Sequence, residues 1–333
     1  MKLAIVILNW NGEDLLKQFL PSVVEHSVGH KIYIADNGST DQSERWLAAN
    51  YPQITVIQNN NNLGYAGGYN AALSHIPEDL FCLLNSDVEV SAGWCDIILN
   101  EFKNDKNLGA AQPKILDYSN KDKFEYAGAC GGFLDQLGYP YCRGRIFSDL
   151  EMDHGQYDDP IVIDWASGAA FFITKKAFEE SNGFDQHYFA HQEEIDLCWR
   201  LRRLDYTIKV IPASQVYHLG GGTLNSLSPR KTFLNFRNSL LTIVKNDERS
   251  NFWFIIIVRM ILDGVAALQF LFTLKIKHSV AVLKAHMSFY KLLSSYLQER
   301  KELRSTGHLS RRNNGVTSIV LKYYLLGQRN FTK

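Results

Sequence analysis

The chain has 333 residues, of which 46% are hydrophobic and 21% charged, which excludes wholesale disorder and allows one large domain with an extension. Its formal net charge of zero hides an asymmetry, because residues 1–196 contain 13 Lys and Arg against 29 Asp and Glu, whereas residues 197–333 contain 22 against 6. The basic part predicts an anionic partner, such as lipid headgroups, nucleic acid or the acidic half itself. Five cysteines without a Cys-x-x-Cys pair favour reduced thiols in a cytosolic protein over disulfides or a zinc site.

The first hundred residues alternate short apolar runs with segments of helical periodicity. The apolar runs predict strands at 3–8, 31–35, 54–57 and 80–84, and the segments between them predict helices at 13–26, 41–50 and 65–75. The first run is too short for a signal peptide and is interpreted as a buried strand. This order predicts an α/β fold with a mainly parallel sheet flanked by helices, whose ligands lie beyond the carboxyl ends of the strands.

Polar residues follow three of these strands. Asp87 comes after the run at 80–84, where a lone aspartate is ordinarily a turn former; it also suits a Mg²⁺ or Mn²⁺ ion that bridges a diphosphate and needs rigid oxygen ligands. Asp36 at the end of the second strand is placed to accept hydrogen bonds from a base or ribose. The other candidates for ligand binding at these strand ends are Asn9, Asn11, Asn37, Ser39 and Asn85.

The stretch 62–70 contains glycines suited to close backbone approach at a helix start, which makes Asn62, Gly64, Gly68 and Asn70 further candidates. As a bare glycine pattern it is weak evidence. It is not the dinucleotide fingerprint, because no Gly-x-Gly-x-x-Gly follows the first strand.

Residues 117–163 have weak periodicity and predict a long functional loop or small subdomain with a short hairpin around 138–140. Strands are predicted at 171–173 and 208–211, with a helix starting near Glu193. The carboxylates of Glu193, Glu194 and Asp196 are crowded among aromatic residues, which should raise at least one pKa, as a general base requires. His218 is placed after a strand, where it could complete the shell of a metal held by Asp87.

Residues 252–274 are the most apolar stretch, and their length suits a membrane span, but Arg259 and Asp263 lie within it. The next segment predicts an amphipathic helix with one apolar face, formed by Ile276, Val280, Leu283, Met287, Tyr290 and Leu297, and with lysines at 277, 284 and 291. In-plane or peripheral attachment to a membrane is the favoured interpretation. A true span and a helical pair that packs on the core or forms a dimer are the alternatives.

The order of motifs resembles the family 2 inverting glycosyltransferases of GT-A fold, especially bacterial rhamnosyltransferase-like members. The resemblance covers residues 3–240 and depends on eight motifs in the family's order, at 6–11, 36–41, 62–70, 84–87, 165–169, 183–185, 193–200 and 216–221. It implies a catalytic domain at 1–245 with the acceptor-side loop at 117–163, followed by a basic helical extension at 250–333.

The resemblance also implies roles for individual residues. Asp36 would contact the nucleotide base, Asn85 and Asp87 occupy the family's Asp-x-Asp motif, and Asp87 would bind the metal with His218 as a second ligand. The catalytic base falls on Glu194, where glutamate replaces the family's aspartate, and this change leaves Glu193 and Asp196 as alternatives.

The implied reaction is transfer of a sugar, rhamnose among the candidates, from a nucleotide-diphosphate donor to a saccharide or lipid-linked acceptor in cell-surface polysaccharide synthesis. It implies a divalent cation, Mg²⁺ or Mn²⁺, no nucleic acid, and a cytoplasmic protein held peripherally at the anionic inner face of the cytoplasmic membrane. A nucleotidyltransferase and a non-catalytic sugar-nucleotide scaffold are the alternatives. A nucleotidyltransferase would normally carry a Gly-rich, Arg- or Lys-containing first loop, and this chain has Asn9-Trp10-Asn11-Gly12.

Overall fold

The structure is a computed structural model that describes residues 1–220, 228–306 and 316–331. Gly221, the last residue of the motif at 216–221, and residues 307–315 of the predicted extension lie outside these ranges. The strands are β1 (Leu3–Asn9), β2 (Lys31–Asp36), β3 (Thr55–Gln58), β4 (Leu80–Asn85), β5 (Val88–Val90), β6 (Leu108–Asp117), β7 (Gly132–Leu134), β8 (Pro140–Cys142), β9 (Arg145–Ile146), β10 (Asp149–Leu150), β11 (Ile161–Val162), β12 (Ala170–Thr174) and β13 (Thr207–His218).

The helices connect these strands and then continue alone to the C-terminus. They are α1 (Glu13–His26), α2 (Ser43–Asn50), α3 (Gly64–Leu73), α4 (Trp94–Asn104), α5 (Lys175–Glu180), α6 (Glu193–Arg203), α7 (Pro229–Asn246), α8 (Phe252–Phe272), α9 (Ile276–Thr306) and α10 (Ile319–Tyr324). The predicted strands and helices of the first hundred residues are all present, because strands buried on both faces are continuously apolar.

The central sheet has the strand order β11-β13-β6-β12-β4-β1-β2-β3, and β5 also pairs with β13. The strands from β4 to β3 run parallel, as predicted. In the other half the antiparallel strand β12 lies between β4 and β6, so the sheet is mixed. Helices cover both faces, and each face has its own cluster of buried side chains.

The predicted loop at 117–163 is a small subdomain built around a second sheet of order β10-β9-β8-β7. The hairpin predicted around 138–140 is present, since Leu134 pairs with Pro140 in the β7–β8 ladder. The chain returns to cover this subdomain at its C-terminus, where the Phe331 ring stacks on those of Phe133 and Tyr141. The backbone N–H of Ile319 donates to Asp135 Oδ2 at 2.8 Å.

Helices α7, α8 and α9 pack together around a third apolar cluster, which also includes Tyr188 from the catalytic part of the chain. Helix α8 is, within the described residues, a helix long and apolar enough to cross a membrane. Its charged residues face inward: Arg259 donates to the Leu137 carbonyl at 3.0 Å and to Ser239 Oγ at 2.9 Å, and Asp263 pairs with His286 at 3.1 Å.

The apolar face predicted for 276–297 does not form the main packing surface of α9. Phe289 and Tyr296 are buried against α7 and α8, whereas Leu283, Met287 and Tyr290 of the predicted face are exposed. The helix therefore has apolar residues on two sides, and only one side has a partner in the described part of the chain.

Candidate active site

The carboxyl ends of β1 and β2 meet in a polar cluster, as the parallel pairing of Asn9 with Asp36 requires. The Asn9 amide donates to Asp36 Oδ1 at 2.9 Å, to Ser43 Oγ at 3.0 Å and to Ser39 Oγ at 3.2 Å. The other Asp36 oxygen accepts from the Ser39 backbone N–H at 2.9 Å. Asn11 joins the cluster from the next turn, since its Oδ1 accepts from Thr40 N at 2.7 Å. We call Asn9, Asn11, Asp36 and Ser39 the strand-end cluster.

Asn37 connects the strand-end cluster to the start of α3. Its amide donates to Asn62 Oδ1 at 3.1 Å and to the Gly64 carbonyl at 3.0 Å. Gly64 has φ +72°, and a Cβ there would lie 2.4 Å from the Phe189 carbonyl oxygen. The absence of a side chain at Gly64 therefore allows α3 to approach residue 189 closely.

Two of the candidates from the stretch 62–70 have structural roles. A Cβ at Gly68 would lie 2.8 Å from the Leu8 side chain, so this glycine allows α3 to pack on β1. The Asn70 side chain forms two hydrogen bonds with the backbone of Phe184. Its Nδ2 donates to the Phe184 carbonyl at 2.7 Å, and its Oδ1 accepts from the Phe184 N–H at 2.9 Å. We therefore assign Gly68 and Asn70 to packing rather than to ligand binding.

Asp87 and His218 lie together although 131 positions separate them. The strand β5 that follows Asp87 pairs with the end of β13, with Val88 opposite His218, and this ladder places His218 Nε2 3.1 Å from Asp87 Oδ1. Asn85 lies at the same place, with its Nδ2 3.4 Å from His218 Nε2. The structure thus brings the three residues of the predicted metal site together.

Glu125 completes this group, which we call the Asp87–His218 cluster. Its Oε2 lies 3.1 Å from His218 Nδ1, on the opposite side of the ring from Asp87. Burial opposes a charge on His218, but Glu125 and Asp87 outweigh it and raise its pKa to about 10. The sequence analysis missed Glu125, because it lies in the subdomain at 117–163, where residue order alone does not indicate which side chain meets β13.

The Asp87–His218 cluster fits a small divalent cation. Ligand atoms on neighbouring vertices of an octahedron with bonds of 2.0–2.1 Å are about 3 Å apart, which is the separation of Asp87 Oδ1 from His218 Nε2. A carboxylate on the far nitrogen of a metal-bound histidine orients the ring and increases its basicity, and Glu125 occupies that position. Asp87 and His218 would therefore hold the ion, with the proton that His218 carries in the absence of metal released on binding, and Glu125 would orient His218.

Glu193 and Glu194 are the first two residues of α6 and have distinct protonation behaviour. Burial, followed by the charge of Glu194, raises the pKa of Glu193 well above its usual value. Burial raises the pKa of Glu194 to about 7, the range in which a general base works best. One buried carboxylate oxygen of each, and Nε2 of nearby His191, have no hydrogen-bond partner among the described residues. Such atoms are available to a ligand.

Asp196 does not belong with this pair. It is fully buried, and its oxygens accept from Arg200 Nη2 at 2.7 Å, Asn246 Nδ2 at 2.7 Å and Lys245 Nζ at 3.3 Å. Both of its oxygens are therefore already occupied by donors from α6 and α7. We therefore remove Asp196 from the candidate bases and assign it to the contact of α6 with α7.

The Glu193–Glu194 pair and the Asp87–His218 cluster are connected through the subdomain and residues 168–169. Burial raises the pKa of the Cys142 thiol, and the charges of Glu125 and Glu194 both contribute to this rise. The Tyr65 hydroxyl donates to the Gly168 carbonyl at 2.9 Å, and the charges of Glu193 and Glu194 contribute to the rise in its pKa, after burial. The neighbouring Ala169 carbonyl accepts from Asn85 N at 3.0 Å. Electrostatic interactions and hydrogen bonds thus connect the proposed base with the proposed metal site.

Comparison with known sequences identifies the class of protein that this fold and site define. The sequence profile of Glycosyl transferase family 2 matches residues 4–178, more than half of the chain. The chain therefore belongs to glycosyltransferase family 2, and the predicted class of enzyme, an inverting glycosyltransferase, is confirmed.

Similar proteins agree with the resemblance to rhamnosyltransferase-like members. N-acetylglucosaminyl-diphospho-decaprenol L-rhamnosyltransferase of Mycobacterium tuberculosis is 26% identical over 237 residues, which cover 65% of this chain and 75% of the relative. Rhamnosyltransferase WbbL of Escherichia coli is 23% identical, with 64% of this chain and 82% of the relative covered. The low-salt glycan biosynthesis hexosyltransferase Agl10 of Haloferax volcanii is 24% identical, with 72% and 74% covered.

Solved structures confirm the GT-A fold. GalNAc-T7, solved with UDP, GalNAc and Mn²⁺, has a TM-score of 0.58 at 16% identity and covers 74% of this chain and 48% of its own. The mannosyltransferase PcManGT of Pyrobaculum calidifontis, solved with GDP-Man and Mn²⁺, has a TM-score of 0.51 at 12% identity and covers 98% and 88%. The second match also extends over the C-terminal helices.

Proposed function

We propose that this glycosyltransferase uses a divalent cation, Mg²⁺ or Mn²⁺, to transfer a sugar from a nucleotide-diphosphate donor to a saccharide or lipid-linked acceptor in cell-surface polysaccharide synthesis. Rhamnose is the preferred candidate for the sugar, since two relatives are named rhamnosyltransferases. The observation that carries the proposal is the Asp87–His218 pair, backed by Glu125, together with the buried Glu194 at the start of α6.

Each group of residues has a separate task in this reaction. The strand-end cluster and Asn37 hold the nucleoside, with Asp36 as the acceptor for the base or ribose. Asp87 and His218 hold the cation, which when bound neutralises the negative charge that develops on the departing diphosphate. Asn85 orients the donor beside them.

Glu194 is the proposed catalytic base. Its carboxylate, ionised above pH 7, takes the proton of an acceptor hydroxyl, and the oxygen attacks the anomeric carbon from the face opposite the nucleoside diphosphate. One C–O bond forms as the other breaks, which inverts the configuration. The neighbouring Glu193, whose pKa is raised well above its usual value by burial and by the charge of Glu194, is disfavoured as the ionised base.

The experiment is a screen of UDP-, GDP- and dTDP-linked sugars, dTDP-rhamnose among them, for release of nucleoside diphosphate with Mg²⁺, with Mn²⁺ and with EDTA. We expect one donor class to be turned over only with metal, and NMR of the product to show an inverted anomeric carbon. Full turnover in EDTA would contradict the metal site, and a retained configuration would contradict the proposed role of Glu194.

We also propose that the hairpin of α8 and α9 lies in the plane of an anionic membrane, at the cytoplasmic face. The outward side of α8 is a stripe of exposed apolar residues at helical spacing, Phe254, Ile257, Ile261, Val265, Leu268 and Phe272. The turn that follows is the most exposed part, with Phe272 at 82% and Leu274 at 85%. Lysines 275, 277, 284 and 291 border this surface, as lipid headgroups would require.

An in-plane position accounts for the charges of α8 better than a span does. Arg259 and Asp263 are buried against Leu137, Ser239 and His286, so a helix that crossed the bilayer would have to give up these partners and carry both charges into hydrocarbon. In the plane of the membrane the charged side stays on the protein and the apolar side enters the lipid.

The hairpin also supports the choice of a lipid-linked acceptor. Thr232, in the first turn of α7, contacts His278 at the start of α9 with an Oγ1–Nδ1 distance of 2.7 Å. Two residues earlier the Arg230 guanidinium lies 4.5 Å from the centroid of the Phe189 ring, in the loop that leads to Glu194. The apolar turn and the proposed base are therefore linked through one turn of α7, which suits an acceptor whose sugar enters the cleft from the lipid surface.

Co-sedimentation with vesicles of phosphatidylglycerol and phosphatidylcholine tests the membrane proposal. The double variant Ile257→Glu/Ile261→Glu should bind at least about tenfold more weakly, because two apolar side chains of about 1.5–3 kcal/mol each no longer enter the lipid. Val28→Glu, at a still more exposed position far along the sequence from the hairpin, is the control. Equal binding by all forms, or a dimer in light scattering that the double variant dissociates, would contradict the membrane surface.

A further inference from the structure

The residues that lead into α6 form a strained loop, which we define as residues 187–192. Phe189, His191 and Gln192 have φ of 63°, 69° and 75°, in the left-handed region that side chains other than glycine rarely adopt. The loop ends directly at Glu193 and Glu194. A strained conformation persists only where its surroundings hold it, so the contacts of this loop determine where Glu194 lies.

Helix α7 supplies one set of these contacts through Asn238. The Asn238 Nδ2 lies 2.7 Å from the His191 carbonyl oxygen, 3.1 Å from that of Ala190 and 3.1 Å from that of Tyr188. Three carbonyl groups thus converge on one amide that is fully buried in the helix. An amide nitrogen carries two protons, so the donors are shared among the three acceptors.

Arg237 extends the same set of contacts. Its Nη2 donates to the His187 carbonyl at 2.6 Å, and its Nε donates to Asn238 Oδ1 at 2.8 Å. The second bond directs the NH₂ group of Asn238 toward the loop, because the oxygen of the amide is occupied. Helix α3 holds the other side, where Tyr65 N and Ala66 N donate to the Phe189 carbonyl at 2.7 and 3.3 Å.

We propose that Asn238 is a positioning residue for the catalytic base: it holds loop 187–192 in its strained form and so sets the place of the Glu194 carboxylate. The inference rests on the proposed role of Glu194 and adds to it a residue on α7, outside the eight motifs described above. Since α7 also packs on the α8–α9 hairpin, the base is held by the helix that supports the proposed membrane-binding hairpin.

Asn238→Asp tests this, because it keeps the shape of the side chain and removes the two protons that face three carbonyl oxygens. With the donor found in the screen, kcat should fall by about 10- to 100-fold while the KM for the donor stays within about twofold. The acidic limb of the pH–rate profile should move, because the burial of Glu194 changes with the loop. Amide hydrogen exchange should become faster in residues 188–194.

The controls separate positioning from general stability. Asn235→Asp, one turn earlier on α7 and outside this set of hydrogen bonds, should keep kcat, the pH profile and the slow exchange. If Asn238→Asp does not fold, Asn238→Ser, which retains one hydroxyl donor, and Arg237→Gln provide the same readouts with smaller expected losses. A lowered melting temperature with unchanged kcat, pH profile and exchange in these variants would reduce Asn238 to a packing role and overturn the proposal.

Glu194→Gln, measured in parallel, distinguishes the two ways of failing. If Glu194→Gln keeps normal turnover, the assignment of the base is wrong, whatever the Asn238 variants do. If Glu194→Gln loses turnover while Asn238→Asp keeps both kcat and the pH profile, the base assignment stands and the positioning role of Asn238 is wrong.

Discussion

The strand-end cluster, proposed to bind the donor, and the proposed catalytic residues Glu125, His218 and Glu194 are assembled from the chain in different ways. Residues of the strand-end cluster follow two adjacent parallel strands within the first 39 residues, and their hydrogen bonds connect one strand end to the next. Among the proposed catalytic residues, β13 supplies His218, the small subdomain supplies Glu125, and α6 supplies Glu194.

This difference predicts which substitutions should affect turnover and which should affect the local fold. Asp36 has both carboxylate oxygens engaged in hydrogen bonds within its own cluster, so its loss would disturb the loop as well as donor binding. Glu194 and Glu193 each have a buried oxygen without a partner among the described residues. Their loss would remove a function more than a contact.

The largest expected effect is that of Asp87→Ala, which removes a cation ligand. Turnover should fall to background in the diphosphate-release assay, because a ligand of the charge-neutralising cation is lost. Circular dichroism should stay that of the wild type, because Glu125 still pairs with His218. Asp96→Ala, which removes a carboxylate of α4 paired with His30, is the control. Substantial metal-dependent turnover by Asp87→Ala would refute the metal assignment.

Glu194→Gln should follow, with a loss of about 10²- to 10⁴-fold in kcat, the usual contribution of a general base. In the wild type, kcat should rise between pH 6 and pH 8, because burial raises the Glu194 pKa to about 7 and only the ionised form accepts the proton. Glu193→Gln should lose less activity, since burial and the charge of Glu194 raise the Glu193 pKa well above its usual value and so disfavour its ionised form. A larger loss for Glu193→Gln would exchange their roles.

Thermal unfolding gives an independent test of the same carboxylate. The unfolded chain ionises near the ordinary value of 4.5, while the folded protein keeps Glu194 protonated up to about pH 7, so stability declines with rising pH between these values. Glu194→Gln avoids this loss and should melt above the wild type at pH 8, with a smaller difference at pH 5. An equal difference at both pH values would show that the Glu194 pKa is not raised.

The smallest effect is expected for Glu125→Gln, which changes the residue behind a ligand. Mn²⁺ affinity, measured by calorimetric titration, should weaken by about 10- to 100-fold, the usual cost of losing the partner of a metal-bound histidine. Glu89→Gln, on β5 two residues after Asp87 and paired with Lys121, should leave it unchanged. Equal affinity in both variants would mean that Glu125 does not orient His218.

The sequence correctly predicted that the residues of the strand-end cluster lie together, because they follow neighbouring strands. Parallel strands present their carboxyl ends at one edge, so apolar runs that end in Asn9, Asp36 and Asn85 already imply one ligand edge. The hairpin around 138–140 was predictable for the same reason. The class of enzyme followed from motif order, and the family match confirmed it.

Only the tertiary structure decided the remaining features, because they depend on contacts between elements far apart in the sequence. In the structure, Gly68 allows α3 to pack on β1, and Asn70 hydrogen-bonds to the backbone of Phe184. Asp196 forms an ion pair with Lys245 of α7, a contact that the sequence of α6 does not indicate. Helical spacing of apolar residues predicts an apolar stripe but not the surface that packs against it. The sequence therefore could not indicate which side of α9 faces the rest of the protein.

Taken by itself, the sequence determined the α/β sheet, the strand ends where polar side chains meet and the family of glycosyltransferases to which the chain belongs, since strand burial and motif order follow from residue order. Only long-range packing determines that Glu125 contacts His218 and that the pKa of Glu194 is about 7. It also determines that Asn238 donates to the carbonyl groups of the loop that precedes Glu194. Burial and hydrogen-bond partners depend on which surfaces meet, and residue order does not specify them.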